Sequence, residues 1–190
     1  MIQVRKTEMN KDIERILIDE KELDAIVSRV AGEIENDYKK SDKKLLLLCI
    51  LKGSVVFTAE LMKKINLPVE IDFMKVSSYG AGTVSQGKPN IILDLSRHDL
   101  SNLDIVVVED IIDSGNTLSY LTEYLKLKGA NSVKTVTLLD KKSRRVVDFE
   151  PDYVGMDIPD EFVVGFGLDY DEQYRNLPYI GILKREVYSK

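Results

Sequence analysis

The 190-residue chain is 44% hydrophobic and 31% charged, a balance that suits one compact domain with a buried core and excludes a disordered or collagen-like chain. With 27 Lys and Arg against 32 Asp and Glu, the net charge is -5 and the pI about 5.1, so no global positive field draws the chain to nucleic acid and any such contact would be local. The longest apolar run, Leu45 to Leu51, falls far short of the roughly 20 residues that span a bilayer, and the charged start MIQVRKTEMNK lacks a signal-peptide core, so a soluble, cytoplasmic protein with no membrane partner is expected. One cysteine, Cys49, and one histidine, His98, exclude an internal disulfide and a zinc site of Cys and His ligands. Cys49 lies among leucines in an expected strand, where it reads as a small buried hydrophobe rather than a nucleophile.

In chain order, Asp19 followed by Glu22 has capping-box spacing, and Leu23, Ile26, Val27, Val30 and Ile34 then recur at helical steps. The run KKLLLLCILKG, closed by Gly53, is expected to be a strand buried on both faces, and Phe57, Leu61 and Ile65 follow at helical spacing. A strand is expected over Val69 to Val76. Another runs from Asp104 to Val108, turns at Asp113-Ser114-Gly115 into a helix carrying Leu118, Leu121 and Leu125, and that helix ends at Gly129. Further strands are expected at Val133 to Leu139, Tyr153 to Met156, Phe162 to Val164 and Tyr179 to Leu183. Alternation of strands and helices predicts an α/β fold, a mostly parallel sheet flanked by helices, whose ligands bind outside the carboxyl ends of the strands. The unusual residues fall there: Lys52-Gly53, Ser78-Tyr79-Gly80, Glu109-Asp110 and Lys141 each follow a core strand.

The strongest signal is the string from Val106 to Leu118, VVVEDIIDSGNTL. Apolar residues lead into adjacent carboxylates at Glu109 and Asp110, and Asp113 opens a tight Ser-Gly-Asn-Thr loop that feeds a helix. Free N–H groups at the helix start, close approach over Gly115 and the hydroxyls of Ser114 and Thr117 suit a phosphate. The Walker pattern Gly-x-x-x-x-Gly-Lys-Ser/Thr is absent, and so is a lysine in the loop. A ribose 5-phosphate satisfies both halves, its phosphate in the loop and its two ring hydroxyls on the two carboxylates. Taken singly, the acids are an ordinary strand end and Asp113 or Ser114 an ordinary helix cap; the complete string favours the ligand.

At these residues the chain resembles the type I phosphoribosyltransferases, whose signature for 5-phosphoribosyl-1-diphosphate is such a string. More narrowly it is similar to the hypoxanthine-guanine members, on Leu51-Lys52-Gly53, Ser78-Tyr79-Gly80, Leu138-Leu139-Asp140-Lys141, and the stretch from Pro159 to Tyr170 with Arg175 downstream, which occur in family order. The resemblance implies one phosphoribosyltransferase domain over residues 1–190, with a small hood formed by terminal segments. It implies transfer of 5-phosphoribosyl to hypoxanthine or guanine in purine salvage, small-molecule substrates rather than nucleic acid, and a homodimer or homotetramer.

Carried over residue by residue, the resemblance implies that Asp113 handles the proton at purine N7. Lys141 would donate to O6, which favours a 6-oxopurine over adenine because an ammonium has donors only. Phe162 would stack on the base and Val163 offer backbone groups to its edge. Glu109 and Asp110 would hold the ribose hydroxyls, Ser114, Gly115, Asn116 and Thr117 the 5-phosphate, and Lys52, Gly53 and Arg175 the diphosphate. Mg2+ is the implied cofactor, with Asp169 on one ion and Glu109 and Asp110 on another through water. In the family the peptide matching Leu51-Lys52 can be cis. Asn116 departs from members that carry lysine there, which bears on donor affinity.

The segment Ser77 to Lys88 is polar and glycine-rich. Its Gly80-Ala81-Gly82 lacks the third glycine and the following helix of a dinucleotide fingerprint, so a mobile lid is expected, with Ser78 and Tyr79 folding over the diphosphate. Two alternatives stay open: a preference for xanthine, and a regulatory RNA-binding protein of the same fold, which the pyrimidine-operon attenuators exemplify. The latter is supported by the basic cluster Lys141 to Arg145 and opposed by the acidic pI.

Overall fold

The computed structural model describes residues 9–77 and 89–189; the expected lid, including Ser78 and Tyr79, lies outside the described residues except for Ser77 at its start. In chain order the elements are β1 (Ile13–Ile18), α1 (Glu20–Tyr38), β2 (Lys44–Leu51), α2 (Val55–Lys64), β3 (Val69–Ser77), β4 (Asn90–Leu93), β5 (Leu103–Ile112), α3 (Asn116–Leu127), β6 (Ser132–Asp140), a single 3-10 turn (Lys142–Arg144), β7 (Tyr153–Asp157), β8 (Val163–Val164), β9 (Ile180–Leu183) and α4 (Arg185–Tyr188). Six strands form the main sheet in the order β4-β3-β2-β5-β6-β7, parallel throughout except for β4 at one edge. Strands β1, β9 and β8 pair antiparallel in a second sheet, the hood expected from terminal segments. Among the described residues no helix is long and apolar enough to cross a membrane.

Period-two alternation places both faces of the central strands in apolar cores. Leu45 and Leu47 of β2 and Val106 and Val108 of β5 join α1, α2 and the hood on one face. Leu46, Leu48, Ile105 and Val107 join Leu118, Leu121 and Leu125 of α3 on the other. A strand covered on both sides has no polar face to show, and this accounts for the unbroken apolar runs. Helix α1 starts where its cap predicts, with Asp19 Oδ1 accepting from the Glu22 N–H at 2.8 Å. Helix α3 ends in a Schellman motif, in which Ala130 N–H reaches Leu125 O and Gly129 N–H reaches Lys126 O.

Several boundaries differ from the sequence expectation. Strand β5 does not stop at Val108 but carries the acidic pair inside it to Ile112, because pairing with β6 continues through Glu109 opposite Thr137 and Ile112 opposite Asp140. Helix α2 stops at Lys64, and Ile65 is extended. Strands β1 and β4 are additional; both are short and carry exposed apolar residues, Ile16 in β1 and Ile92 and Leu93 in β4.

Strand β5 bears an acid at its amino end too. Asp104 is 4% exposed and accepts from Ser41 Oγ, Asn131 Nδ2 and Ser132 Oγ. Burial pushes its pKa up, but the bonds from Ser132, Ser41 and Asn131 outweigh that and hold it below 3.8. A depressed carboxylate stabilises the fold above its ordinary pKa and loses that contribution as pH falls through the folded value. Asp104→Ala should therefore cost about 1–3 kcal/mol at neutral pH, since three donors lose their acceptor. Urea denaturation should show the gap between variant and wild type closing below about pH 3.8; an equal gap at pH 7 and pH 3 would contradict the assignment.

Candidate active site

Strand β5 runs straight into the loop 113–115 and α3. Gly115 is the residue that precedes the helix, with φ +83, and has no side chain with which to cap it; of the residues before it, Ser114 makes only a long contact with the helix start. The left-handed φ favours glycine, and a Cβ there would also stand tightly, 3.0 Å from Arg145 Cδ and from Val147 Cγ2. The first-turn N–H groups are left for an anion apart from a long 3.4 Å contact between Asn116 N–H and Ser114 Oγ. Beside them lies a cavity of 670 Å³ lined by Asp113, Ser114, Gly115 and Thr117 on one wall and Ser143, Arg144 and Arg145 on the other, with Glu109 reaching it. Asn116 is exposed at the helix start and is not among the lining residues.

The acidic pair is poorly compensated. Glu109 Oε2 is buried with no hydrogen-bond partner, while Asp110 Oδ1 accepts from the Ile111 N–H at 2.8 Å. Burial pushes the Glu109 carboxyl well above the usual range, and the Asp110 charge adds to it. Burial likewise raises Asp110, to about 6, against the pull of backbone N–H groups and of Arg175. Gly53, just past β2, touches this pair: a Cβ there would lie 1.5 Å from Asp110 Oδ2, so a larger residue would have to displace the Asp110 carboxylate. The parallel register, Cys49 opposite Val108, creates that approach. The Leu51-Lys52 peptide is cis.

A second bay of 260 Å³ is lined by Asp110, Ile111, Asp113, Lys141, Phe162, Val163, Leu168 and Asp169. Lys141 is buried, and its backbone N–H extends the β5–β6 ladder to Ile112 O. Its Nζ stands 4.0 Å from Asp113 Oδ1, an oxygen shielded from water and without a hydrogen-bond partner. The Phe162 ring is backed by Tyr188 of α4, stacked at 4.7 Å, and met edge-on by Tyr170 at 5.5 Å. Sequence reasoning missed Tyr188, and only the isolated aromatic near the chain end marks it.

Lys52, Arg175 and Asp169 assemble in a third group with Glu172, which was not anticipated. Arg175 Nη2 lies 2.9 Å from Asp169 Oδ1 and 3.3 Å from Glu172 Oε2, Lys52 Nζ lies 2.9 Å from Glu172 Oε1, and Arg175 Nη1 donates to Gly167 O. Among the described residues no three His, Cys, Asp or Glu side chains converge as a metal cage. A divalent ion here would take one or two carboxylates and complete its shell with substrate oxygens and water, the habit of Mg2+. Glu109, with its unpartnered Oε2, suits that donor set. Cys49 is buried, contacts Ser54 Oγ at 3.3 Å and has its thiol pKa raised by burial, so it stays in the core.

A carboxyl whose pKa the fold raises stabilises the fold at low pH and loses that contribution as pH rises through the folded value. Glu109→Gln should accordingly raise Tm near pH 7.5 by about 2–4 °C, the shift expected for each kcal/mol in a domain of this size. Calorimetry should show the gain shrinking toward pH 4.5, and a variant less stable at both values would mean that the acid is a structural strand end.

Residues 15–171 match the phosphoribosyl transferase domain family. The chain is 50% identical over 182 residues to a hypoxanthine-guanine phosphoribosyltransferase of Streptococcus thermophilus, covering 96% of this chain and 99% of the relative. The same identity over 182 residues relates it to that of Staphylococcus epidermidis, covering 96% and 100%. A crystal structure of a hypoxanthine phosphoribosyltransferase from Staphylococcus aureus superposes with a TM-score of 0.88 at 48% identity, over 96% of this chain and 97% of that one. Likeness of this degree covers nearly the whole chain, and the chain belongs to the phosphoribosyltransferase family, in its hypoxanthine-guanine group.

Proposed function

We propose that this protein transfers the 5-phosphoribosyl group from 5-phosphoribosyl-1-diphosphate to N9 of hypoxanthine or guanine, releasing diphosphate and giving IMP or GMP in purine salvage. The observation that carries this is a meeting of two sites: the anion-type cavity at the start of α3 and the aromatic, lysine-bearing bay are both lined by Asp113. A nucleotide has a phosphate at one end and a base at the other, and the group at their junction is the one to manage the chemistry.

The 5-phosphate takes the N–H groups and hydroxyls of residues 114–117. Glu109 and Asp110 accept the ribose hydroxyls, which gives the unpartnered Glu109 oxygen a donor and places negative charge beside the cationic ribosyl transition state. In the bay, Phe162 stacks on the base, the Val163 backbone meets its edge, and Lys141 donates to O6. Asp113 Oδ1, unpartnered and facing the same bay, accepts the proton at N7 as N9 bonds to the ribosyl carbon. Lys52, the Gly53 backbone and Arg175 face the departing diphosphate. Asp169, Glu109 and Asp110 are the carboxylates for Mg2+, which when bound would neutralise charge on the diphosphate. The family resemblance carries the further expectations of a cytoplasmic location, of a homodimer or homotetramer, and of closure by Ser78 and Tyr79.

The RNA-binding alternative draws little from the basic run, because each of its four cations faces an aspartate: Lys141 with Asp113, Lys142 with Asp157, Arg144 with Asp160 and Arg145 with Asp140. Filter binding at physiological salt should give no retained RNA.

Steady-state assays with donor and magnesium should yield nucleotide from hypoxanthine or guanine and none from adenine, whose 6-amino group offers Lys141 no acceptor. Comparable kcat/KM for adenine would remove both the substrate assignment and the role of Lys141. Asp113→Asn should keep the KM for donor while kcat falls by roughly 10²- to 10⁴-fold, the range for a positioned acid-base group. A rise confined to donor KM would instead assign Asp113 to the phosphate site.

A further inference from the structure

Of the three cations in the basic run for which the reaction, as derived, has no use, Arg145 alone has a largely buried side chain, the others being about half exposed. Arg145 is 10% exposed in its side chain and its partner Asp140 0%, with Nη2 at 2.5 Å from Asp140 Oδ1. The other arm of the guanidinium donates to the backbone carbonyl of Asp113 at 2.5 Å. The next residue, Val146, donates its N–H to Ser114 O at 3.1 Å, and Gly115 lies against Arg145 Cδ. One side chain and its adjoining peptide thus grip three consecutive residues of the phosphate loop and tie them to the last residue of β6, immediately before Lys141.

Stability alone is a poor reason for this arrangement. Burying two charges costs several kcal/mol per ion, roughly what the pair regains, and an apolar pair of similar volume commonly does as well or better. Arg145 Nε and Asp140 Oδ2 remain without hydrogen-bond partners, so the pairing is not the one that would satisfy the most groups. What a guanidinium does supply is a rigid planar fork, able to bond a carboxylate with one nitrogen and a carbonyl with another at a fixed separation, which an ammonium cannot do.

We propose that Arg145 is a positioning residue that fixes the phosphate loop relative to the base bay, holding Asp113 and the 5-phosphate in register with Lys141. The ligand identities rest on the function proposed above, whose own failure would appear in the unaltered enzyme as no formation of IMP or GMP. Two variants test the inference. Arg145→Lys keeps a cation for Asp140 but cannot hold the Asp113 carbonyl as well. The double variant Asp140→Leu with Arg145→Met removes both buried charges together. Both should keep Tm within a few degrees of wild type. Both should raise the KM for 5-phosphoribosyl-1-diphosphate roughly tenfold and lower kcat, misplacement costs of the kind expected when reacting groups lose their alignment. The KM for hypoxanthine should change by less than about twofold, because Lys141 is anchored through β6 and the Ile112 carbonyl. An unchanged donor KM in a folded variant, or an equal rise in base KM, overturns the proposal. So does failure of both variants to fold, since the pair would then hold the domain rather than the loop.

Discussion

Two adjacent carboxylates are held in a low-dielectric strand end, and their burial is the constraint from which the rest of the site is built out. Strand β5 has an acid at each end, and the contrast defines what each is for. Asp104 at the amino end accepts three side-chain hydrogen bonds and is held below its ordinary pKa, whereas Glu109 and Asp110 at the carboxyl end are raised, and one Glu109 oxygen has no partner. The two ends also differ in how they are flanked: β2 and β6 both pair with β5 as far as Val108, and from Glu109 to Ile112 the ladder continues with β6. The three side-chain donors at one end, against a backbone N–H on Asp110 and an unpartnered Glu109 oxygen at the other, separate an acid that serves the fold from acids in a candidate site.

Much of the fold was legible because its signals are local. The continuous apolar runs of β2, β5 and β6, the Asp19 cap and the turn at Asp113 to Gly115 can be read without knowing what packs on them. The missed strands β1 and β4 have no such signature: β4 is a four-residue edge strand, and β1 takes its meaning from β9, some 165 residues later in the chain. The same limit applied to the site. The string from Glu109 to Thr117 is contiguous and was read almost whole, but its acids were expected to follow the strand, and the ladder with β6 instead carries them inside it. Tyr188 behind Phe162, and Glu172 bridging Lys52 and Arg175, depend on tertiary contacts that sequence spacing does not reveal.

The run Lys141 to Arg145 shows how composition misleads when burial is unknown. In sequence it is a small positive patch, the single feature favouring nucleic acid. In the fold its cations diverge. Lys141 turns into the base bay, Lys142 and Arg144 make exposed pairs of the kind that contribute little, and Arg145 goes inward to Asp140 and the Asp113 carbonyl. A patch of one sign therefore becomes four local neutralisations with different purposes.

The site divides according to how its parts are held. Glu109, Asp110, Asp113 and the loop as far as Thr117 lie within nine consecutive residues on a strand, a turn and a helix start, so covalent geometry sets their spacing, and in the proposed function that spacing serves a ribose 5-phosphate. The second bay is different: Lys141 follows β6, Phe162 and Val163 come from the start of β8 in the hood, and backing from α4, so its shape depends on how separate elements dock. Among the connections that join the halves are the Lys141 N–H bond to the Ile112 carbonyl, the Arg145 fork on the Asp113 carbonyl and the Val146 N–H bond to the Ser114 carbonyl. In the proposed function, substitutions in the bay change which base is accepted while the strand-loop-helix start stays intact, provided these connections survive. That arrangement lets one rigid strand-loop-helix serve a transfer reaction whose second substrate is chosen elsewhere in the fold.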